Sequence, residues 1–428
     1  MRSFTRLLIA IPVLCLAASS TAFAAGFSIF EQGAKATAMG GAFAATADDP
    51  SAIFYNPAGI AQQRHATVLV GGTIINFANE FRGDPNDPFT SGSKGQYKRH
   101  TFIPPNAYAI VPLGKNLTVG VGAFAAFGLR TNWEDPWIGR FVSRDADLRT
   151  KSIEPAIAWQ TDDGRFAIGA GYEYRSSTVV LNRNSAALNP FNGRIVDAAN
   201  AYLRSDSAND SGYNAGLLFK PTPTWRLGAS YRSEQTINYK GNATFTQFPT
   251  GNSQLDAVIK SQLPPNQAIT TSINFPSIAI AGIATTAIPN WDVEFDISHM
   301  TWSRFKTLNI IFVTTPAANL TRPQNWKDSD AYRLGANHRI NDMWDVRLGA
   351  VYDKNPQPTS GVGPLLPDSD RVGASFGVGY RKGPLMIDLT DFVLHFKKRS
   401  TNGTSSDNFN GTYKTDANLI GIDFGYRF

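Results

Sequence analysis

The sequence has few side chains arranged for catalysis or for metal binding. Its five histidines stand apart from one another, and none belongs to an HExxH motif or another spacing that ligates a metal. No GxSxG sequence is present that would place a nucleophilic serine on a strand-to-helix turn. The histidines are His65, His100, His299, His338 and His395. These residue types therefore predict no enzyme, no metal site and no cofactor.

Phosphate and nucleic-acid chemistry are also not indicated. The glycine-rich stretch GVGYRKG at 377–383 is followed by Pro384 and a strand pattern, so no helix N-terminus follows that could hold a phosphate. Lys and Arg number 40 against 34 Asp and Glu. The resulting net charge of +6 is dispersed along the chain, which gives no basic patch for a nucleic-acid partner.

The first residues predict an exported protein. Two early arginines precede an apolar run at 7–18, and Ala-Phe-Ala follows at 22–24. This is the pattern of a signal peptide over residues 1–24, with Ala25 as the first mature residue. Cys15, the only cysteine of the sequence, lies within that signal, so the mature chain is predicted to contain no thiol and no disulfide.

The remainder of the chain alternates in the way a membrane β-strand does. In MWDVRLGAVYD at 343–353, polar side chains occupy one face and larger apolar side chains the other. The apolar face carries Trp344, Val346, Leu348, Ala350 and Tyr352. No apolar run after the signal is long enough for a transmembrane helix, and 12% of the residues are aromatic. The fold class predicted is therefore all-β, an outer-membrane antiparallel β-barrel.

The connections between the predicted strands alternate between short and long. Short turns lie at 113–116, 161–164, 221–223, before Asn290, at 341–342 and at 382–383. Long loops are predicted at 79–103, 129–150, 177–209, 237–274, 313–326, 354–369 and 399–411. Such sorting is typical of outer-membrane barrels, and it predicts about 14 strands over residues 66–428 with both chain ends on the periplasmic side.

The C-terminal residues also indicate an outer-membrane β-barrel. The chain ends on Phe428, with aromatic side chains at Tyr426 and Phe424. A terminal phenylalanine with this spacing resembles the signal by which outer-membrane proteins are recognised for assembly. The predicted partners are accordingly the barrel assembly machinery and the lipid and lipopolysaccharide of the outer membrane of a Gram-negative bacterium.

Residues 25–65 precede the first strand and do not alternate. The stretch DDPSAIFYNPAGIA at 48–61 combines turn-forming Asp-Pro and Asn-Pro pairs with apolar side chains. The segment is too apolar for a disordered tail and too irregular for a wall strand. A barrel of this size has a wide lumen, so the segment is predicted to fold inside it as a plug.

The N-terminal sequence AGFSIFEQGAKATAMGGAFAATADDPSAIFYNPAGIA resembles the hatch of the FadL-type outer-membrane long-chain fatty acid transporters, a family that includes aromatic-hydrocarbon uptake channels. TWSRF at 301–305, NWKDSDAYRLG at 325–335 and LPDSDRVGASFGVGY at 366–380 extend the resemblance over the mature chain. The resemblance implies a monomeric barrel of fourteen strands plugged by its N-terminal hatch.

The resemblance also implies positions for several functional residues. Phe27, close to the mature N-terminus, is expected in the ligand pocket, and Asn56, Pro57 and Gly59 are expected to shape the hatch. Family members release ligand sideways where the third strand is kinked. The corresponding strand here, 117–129, contains Gly120, Gly122 and Gly128, residues that often mark a bend inside a strand.

Cations facing the lumen are candidates to bind the carboxylate of a fatty acid. Alternation places Arg333 and Arg347 on the inner face, and Lys327 has the same parity as Arg333. The alternative for each is a structural ion pair with a lumenal Asp or Glu. Both interpretations are kept for all three residues.

The outer loop WEDPWIGRF at 133–141 is rich in aromatic residues. Trp133, Trp137 and Phe141 are predicted either to form an exposed groove that captures lipid or to anchor the loop at the membrane surface.

The sequence and the resemblance together predict a porin-like channel for passive uptake of hydrophobic substrates, with long-chain fatty acids first and aromatic hydrocarbons or alkanes as the alternative. Ligand is expected to be bound in the lumen, released by movement of the hatch and delivered through the barrel wall. An outer-membrane barrel enzyme with a site assembled from distant loops, or an adhesin, is the alternative of another class.

Overall fold

The computed structural model describes residues 26–98 and 101–428. The predicted signal peptide and the predicted mature start at Ala25 lie outside the described residues. Within them, no helix is long and apolar enough to cross a membrane.

The described part of the chain forms fourteen wall strands, named β1 to β14 in chain order, several of which are interrupted. Their bounds are Thr67–Gly83 for β1, Lys94–Gln96, Thr101–Phe102 and Pro105–Pro112 for β2, Leu117–Phe124 and Gly128–Asn132 for β3, Asp145–Gln160 for β4, Phe166–Leu188 for β5, Ile195–Ser205 and Ala208–Phe219 for β6, Trp225–Arg232 and Gln235–Gln247 for β7, Gln267–Phe275 and Ile278–Thr285 for β8, Trp291–Met300 and Thr307–Phe312 for β9, Leu320–Pro323 and Ser329–Arg339 for β10, Trp344–Asp353 for β11, Arg371–Lys382 for β12, Leu385–Phe396 and Arg399–Ser400 for β13, and Gly411–Arg427 for β14.

The strands close into a barrel. Each pairs antiparallel with the strands before and after it, and β1 pairs with β14 from Thr67↔Arg427 to Gly83↔Gly411. Closure leaves no sheet edge whose backbone groups would lack partners in a membrane. The predicted fourteen-strand antiparallel barrel is confirmed.

The alternation that predicted the strands also defines the two faces of the wall. In β11, Leu348 and Tyr352 are exposed on the outside, whereas Arg347 and Asp353 are buried inside. The outer surface carries exposed aliphatic and aromatic side chains along most strands, as a lipid-facing surface requires.

Short turns join the strands at one end of the barrel as predicted, but several of the long loops are shorter than predicted. The sequence predicted a loop at 177–209, whereas β5 continues to Leu188 and β6 begins at Ile195. The ladder between β5 and β6 continues from Val180↔Arg204 to Leu188↔Ile195, beyond the part of the wall whose outer face is apolar. The prediction was wrong there because these extensions carry polar side chains on both faces, so they lack the hydrophobic alternation used to place strand ends.

The helices are short. In the part of the chain that the structure describes, two lie before β1, α1 at Ala34–Ala38 and α2 at Ala52–Tyr55, and α3 at Ser253–Gln262 lies in the loop between β7 and β8. Single 3₁₀ turns occur at Pro57–Gln62, Ile138–Phe141, Trp302–Arg304, Pro316–Ala318 and Thr359–Gly361. The Asn252 side chain caps α3 by accepting the backbone N–H groups of Gln254 and Leu255.

Residues 26–66 form the hatch, which packs inside the barrel. Almost all its side chains up to Ala61 are buried, including Phe43, Ile53 and Tyr55. Its backbone touches the wall where inward-facing positions are glycine. A Cβ atom on Gly228 would lie 2.1 Å from the Ala44 carbonyl oxygen. The small wall residues therefore make room for the hatch.

Deleting residues 26–61 is expected to leave a folded barrel, because the ladder that closes the wall includes no hatch residue. The deletion should conduct ions much better than the parent, because the lumen loses its filling. Heat-modifiable migration in SDS gels reports the folded wall, and planar-bilayer conductance reports the lumen. Equal conductance of a folded deletion and the parent would show that the hatch does not obstruct the lumen.

Candidate functional site: the hatch end and its aromatic pocket

Wall carboxylates hold the hatch by its backbone. In β9, the Asp296 carboxylate accepts the N–H groups of Phe43 and Ala44 at 2.9 and 3.0 Å, and the Glu294 carboxylate accepts those of Ala45 and Thr46 at 2.6 and 2.8 Å. Four successive N–H groups that belong to no regular element are thus satisfied by two buried side chains.

The Asn-Pro-Ala-Gly turn is held in the same way. The Asn56 side chain donates to the carbonyls of Ala44 and Leu217 at 2.7 and 3.0 Å, and its oxygen accepts from the N–H of Ala58 at 3.2 Å. Pro57 begins the 3₁₀ turn that follows. A Cβ on Gly59 would lie 2.2 Å from the carbonyl oxygen of Ala47, so this position has room only for glycine.

The first described residues of the hatch, 26–29, which we call the hatch start, enter an aromatic pocket. The Phe27 ring lies 4.6 Å from the Trp302 ring and 5.7 Å from the rings of Phe305 and Phe275, centroid to centroid. Trp326 completes this side at 5.8 Å. Phe27 itself is only 2% exposed. We call Phe27 and these four residues, with Phe127 at 6.2 Å, the Phe27 pocket.

The Phe27 pocket contains hydrogen-bond donors without partners. The indole Nε1 groups of Trp302 and Trp326 are buried and bond to nothing in the described chain. The guanidinium of Arg175 lies 4.6 Å from the Phe127 ring and 5.2 Å from the Phe275 ring. Its Nε and one terminal nitrogen bond to the carboxylate of Glu173, and its other terminal nitrogen, Nη1, is an unpaired donor too.

Arg175, Trp302 and Trp326 were not predicted from the sequence as site residues. Arg175 is the fourth residue of YEYR at 172–175, where alternation places it on the inner face. The two tryptophans lie outside regular strands, where alternation gives no information. Of these three residues, only Arg175 could have been placed on the inner face from the alternation of side chains along its strand.

The hatch start also forms backbone hydrogen bonds with β3 where that strand is interrupted. Ala125, Ala126 and Phe127 leave the ladder between the two segments of that strand. The Ile29 N–H donates to the Ala126 carbonyl, and the Gly128 N–H donates to the Phe27 carbonyl, both at 2.8 Å. Backbone groups that the wall leaves unpaired are therefore satisfied by the hatch.

The predicted kink glycines take different roles. Gly128 borders the interruption, whereas Gly120 and Gly122 lie inside the regular first segment of β3. Cβ atoms at the latter two would lie 3.0 and 3.1 Å from the Ile53 side chain, so they make room for the hatch. The prediction that these two mark the bend was wrong, because glycine in this wall also marks close approach.

The wall is also incomplete between β2 and β3 beside the interruption. Their ladder ends at Ala107↔Ala123 and an isolated bridge joins Tyr97 to Trp133. No ladder between these two strands lies between those points among the described residues. This part of the wall is the candidate side opening.

The three predicted cations do not come together. Arg333 is buried, donates one nitrogen to the Gly40 carbonyl at 3.0 Å and lies 4.0 Å from the Phe30 ring. Arg347 is buried and donates to the Asp388 carboxylate at 2.7 Å and to the Asn337 side-chain oxygen at 2.8 Å. The ion pair with Asp388 matches the structural alternative for Arg347. Arg333 makes no ion pair within the described residues, and its Nε and Nη2 groups are buried without a hydrogen-bond partner there, so both interpretations stay open for Arg333.

Lys327 is exposed and precedes the regular segment of β10, which begins at Ser329. The prediction that it shares the inward face of Arg333 was wrong, because parity counts only along an uninterrupted strand.

The predicted capture loop is folded inward rather than exposed. Trp133 and Trp137 stack with ring centroids 4.0 Å apart and are 2% and 4% exposed. The Trp133 indole donates to the Pro364 carbonyl at 2.9 Å, and Phe141 is half-buried. The expected exposed aromatic groove is absent from this loop, because neighbouring loops cover its rings.

Exposed apolar side chains instead lie at other outer loops. Leu188, Phe191 and Ile195 surround the β5–β6 turn, and Val258 lies on α3; each is at least half exposed. No group of three or more His, Cys, Asp or Glu side chains that could hold a metal ion occurs in the described residues.

Asp368, in the loop between β11 and β12, anchors the first described residue. Its buried carboxylate accepts the N–H of Gly26 at 2.9 Å. Gly26 has φ +69°, and a Cβ there would lie 2.5 Å from the Trp302 ring, so this anchor and the tight approach orient Phe27. Burial raises the pKa of Asp368 to about 7, against partial compensation by the Gly26 hydrogen bond and the charges of Arg371 and Arg399.

Comparison with known proteins agrees with this architecture. A family model described as outer membrane protein transport protein (OMPP1/FadL/TodX) matches residues 15–428. A long-chain fatty acid transport protein of Salmonella typhi is 24% identical over 450 residues, covering 99% of each chain.

Two solved structures share the fold. A Pseudomonas aeruginosa FadL homologue superposes with a TM-score of 0.82 at 20% identity, covering 94% of this chain and 100% of that one. The Pseudomonas putida toluene transporter TodX gives a TM-score of 0.74 at 17% identity, covering 92% and 98%. At these identities the structures establish the barrel and its internal hatch.

Docking of the hatch start is expected to weaken as the pH rises from 3.8, the ordinary pKa of an aspartate, to about 7, the raised pKa of buried Asp368, and to change little above that. The docked state binds a proton that the hydrated carboxyl loses in this range, so rising pH favours release. Protection factors from hydrogen exchange of peptides containing Gly26 and Phe27 measure docking.

Asp368→Asn is the matched control, because the amide keeps an oxygen acceptor for the Gly26 N–H but cannot ionise. Its protection should not vary over the same pH range. A parent protein with a flat profile would contradict the role given to this carboxyl.

Proposed function

Since the chain belongs to the OMPP1/FadL/TodX family of outer membrane transport proteins, it is an outer-membrane channel for hydrophobic compounds and not an enzyme, and we propose that it carries long-chain fatty acids through the Phe27 pocket. The observation that supports this cargo is the set of unpaired donors in an otherwise aromatic pocket. Trp302, Trp326 and Arg175 each present a buried N–H with no acceptor. A carboxyl head supplies acceptors, whereas a hydrocarbon supplies none.

The head is expected to bind mainly through hydrogen bonds. Arg175 and Arg232 already face two buried carboxylates, since Arg232 contacts Glu154 at 2.6 Å and Glu173 at 2.5 Å, and Arg175 contacts Glu173 at 2.8 Å. Two positive and two negative charges balance within this network. A ligand therefore gains the free donor of Arg175 rather than an uncompensated positive charge.

The aromatic rings suit the rest of the ligand. Phe305 and Phe275 offer apolar surface to an alkyl chain, and buried Phe27 fills the space between them that the chain would take. Pockets for such ligands are mostly apolar with a few placed polar groups. Binding then requires the hatch start to move aside.

We propose that this movement also opens the path out of the barrel. The Phe27 carbonyl and the Ile29 N–H are the hatch groups that pair with the interrupted part of β3. When the hatch start leaves, both the pocket and the interruption lose their covering residue. The proposed sideways release between β2 and β3 is supported by the end of their ladder at Ala107↔Ala123, beyond which the described residues of the two strands share only the Tyr97–Trp133 bridge.

Aromatic hydrocarbons remain a second candidate cargo. The observation that favours them is that six aromatic rings form the Phe27 pocket, and ring edges and faces stack well on a small aromatic molecule. Among proteins of similar structure, TodX is described as a toluene transporter. The two cargoes differ in whether they can use the free donors.

Trp302→Phe removes one indole donor and keeps an aromatic ring. It should weaken binding of a long-chain fatty acid such as oleate by about 1.5–3 kcal/mol, the contribution of one hydrogen bond to a charged group, and leave toluene binding unchanged. Calorimetry on the detergent-solubilised protein measures both ligands.

Trp291→Phe provides the matched control, because that ring lies outside the pocket against His338. It should change neither affinity. Equal losses for oleate and toluene in the Trp302→Phe variant would mean that the indole only packs, and the fatty acid proposal would lose its main support.

A further inference from the structure

The wall ladder is interrupted at other places too, one of them between β8 and β9. The ladder ends at Ile278↔Met300 and resumes at Thr271↔Ile310, so residues 272–277 oppose 301–309 without regular pairing. The longer side bulges into the lumen. We call residues 301–306 the inward segment.

The inward segment satisfies part of its own backbone, while the Thr301 N–H donates to the Ser277 carbonyl at 3.1 Å and the Lys306 carbonyl accepts the N–H groups of Gln324 and Asn325 at 2.7 and 3.0 Å. The Phe305 N–H donates to the Trp302 carbonyl and the Arg304 N–H to the Thr301 carbonyl, at 2.9 and 3.2 Å. Side chains span the rest of the interruption, since the Asn274 amide donates to the Arg304 carbonyl at 2.9 Å. The inward segment can therefore shift without breaking a strand ladder.

Outside the barrel, the same bulge leaves a cavity. Its volume is about 390 Å³, and it is open to the outer, lipid-facing surface. Residues of β6 to β9 line it, among them Tyr213, Tyr231, Ser233, Ser277 and Thr301. Both tyrosines are exposed, so their rings are accessible from the membrane. The lining joins aromatic faces to hydroxyl groups, which suits an amphiphile with one chain and a small polar head.

An exposed ion pair crosses the cavity. The Arg304 guanidinium lies 2.9 Å from the Glu234 carboxylate, which belongs to the interruption of β7, two strands away. Both side chains are exposed at the outer surface. The ion pair connects the inward segment to the far side of the cavity.

The inner side of the segment faces the Phe27 pocket. Trp302 is fully buried and Phe305 is 7% exposed, and both contact Phe27, whereas Thr301 and Arg304 line the outer cavity. One unladdered segment therefore separates the membrane-facing cavity from the pocket.

We propose that the inward segment is a second side passage, through which single-chain amphiphiles exchange between the surrounding membrane and the Phe27 pocket. A passage through an intact ladder would leave many backbone groups unpaired in lipid, whereas moving this turn breaks no ladder and only isolated hydrogen bonds, such as the one from the Thr301 N–H to the Ser277 carbonyl. The inference rests on the proposed function, since it shares the pocket and the cargo class.

A disulfide across the interruption tests the passage. The hydroxyl oxygens of Ser277 and Thr301 are 2.9 Å apart, so a Ser277→Cys/Thr301→Cys variant should pin the inward segment to β8 when oxidised. The control is Ser176→Cys/Ser207→Cys, whose hydroxyls lie 2.8 Å apart between β5 and β6, away from the cavity. Radiolabelled oleate uptake is measured in a host lacking its own fatty acid channel, before and after reduction.

The oxidised Ser277→Cys/Thr301→Cys variant should take up oleate severalfold more slowly than after reduction, while the control pair should be indifferent to reduction. Full uptake by the oxidised variant, with disulfide formation verified by mass spectrometry, would overturn the second passage and leave the proposed function intact. Absence of oleate uptake by the parent protein itself would overturn both.

Discussion

The structure depends on satisfying the backbone of an irregular chain segment inside a closed barrel. The hatch is buried in the lumen and has few regular elements to pair its own N–H and carbonyl groups. The wall supplies the partners. Asp423 accepts the N–H of Ala34 at 2.6 Å, and the Ser230 hydroxyl donates to the Tyr55 carbonyl at 2.7 Å. Polar wall residues that would line an open pore therefore form hydrogen bonds to the hatch instead.

The same constraint explains why polar residues and glycines alternate on the inner face. Where the hatch carries free N–H groups the wall presents carboxylates, as at Asp296 and Glu294 in β9. Where the hatch backbone lies against the wall, the facing residue is glycine, as at Gly349, whose Cβ would lie 2.0 Å from the Gly40 nitrogen. The hatch start instead enters an aromatic pocket that includes indole donors without partners in the described residues.

The local features of the fold could be predicted from the sequence, whereas the contacts between distant segments could not. Alternation and turn length identified the wall because both are properties of neighbouring residues. Phe27 was located through resemblance, and its neighbours Trp302 and Trp326 were missed because they leave their strands. Lys327 was misplaced for the same reason. The pairing of Arg347 with Asp388 depends on the register between β11 and β13, which no short-range pattern contains.

The seam between β1 and β14 is also the attachment point of the hatch. These strands share seventeen residue pairs, from Thr67↔Arg427 to Gly83↔Gly411, and they are the first and last strands of the wall. The hatch ends at residue 66, directly before β1, and extends from there across the lumen to Glu294 and Asp296 in β9. The hatch is therefore a tether across the barrel, covalently fixed at the seam and held by hydrogen bonds at the opposite wall.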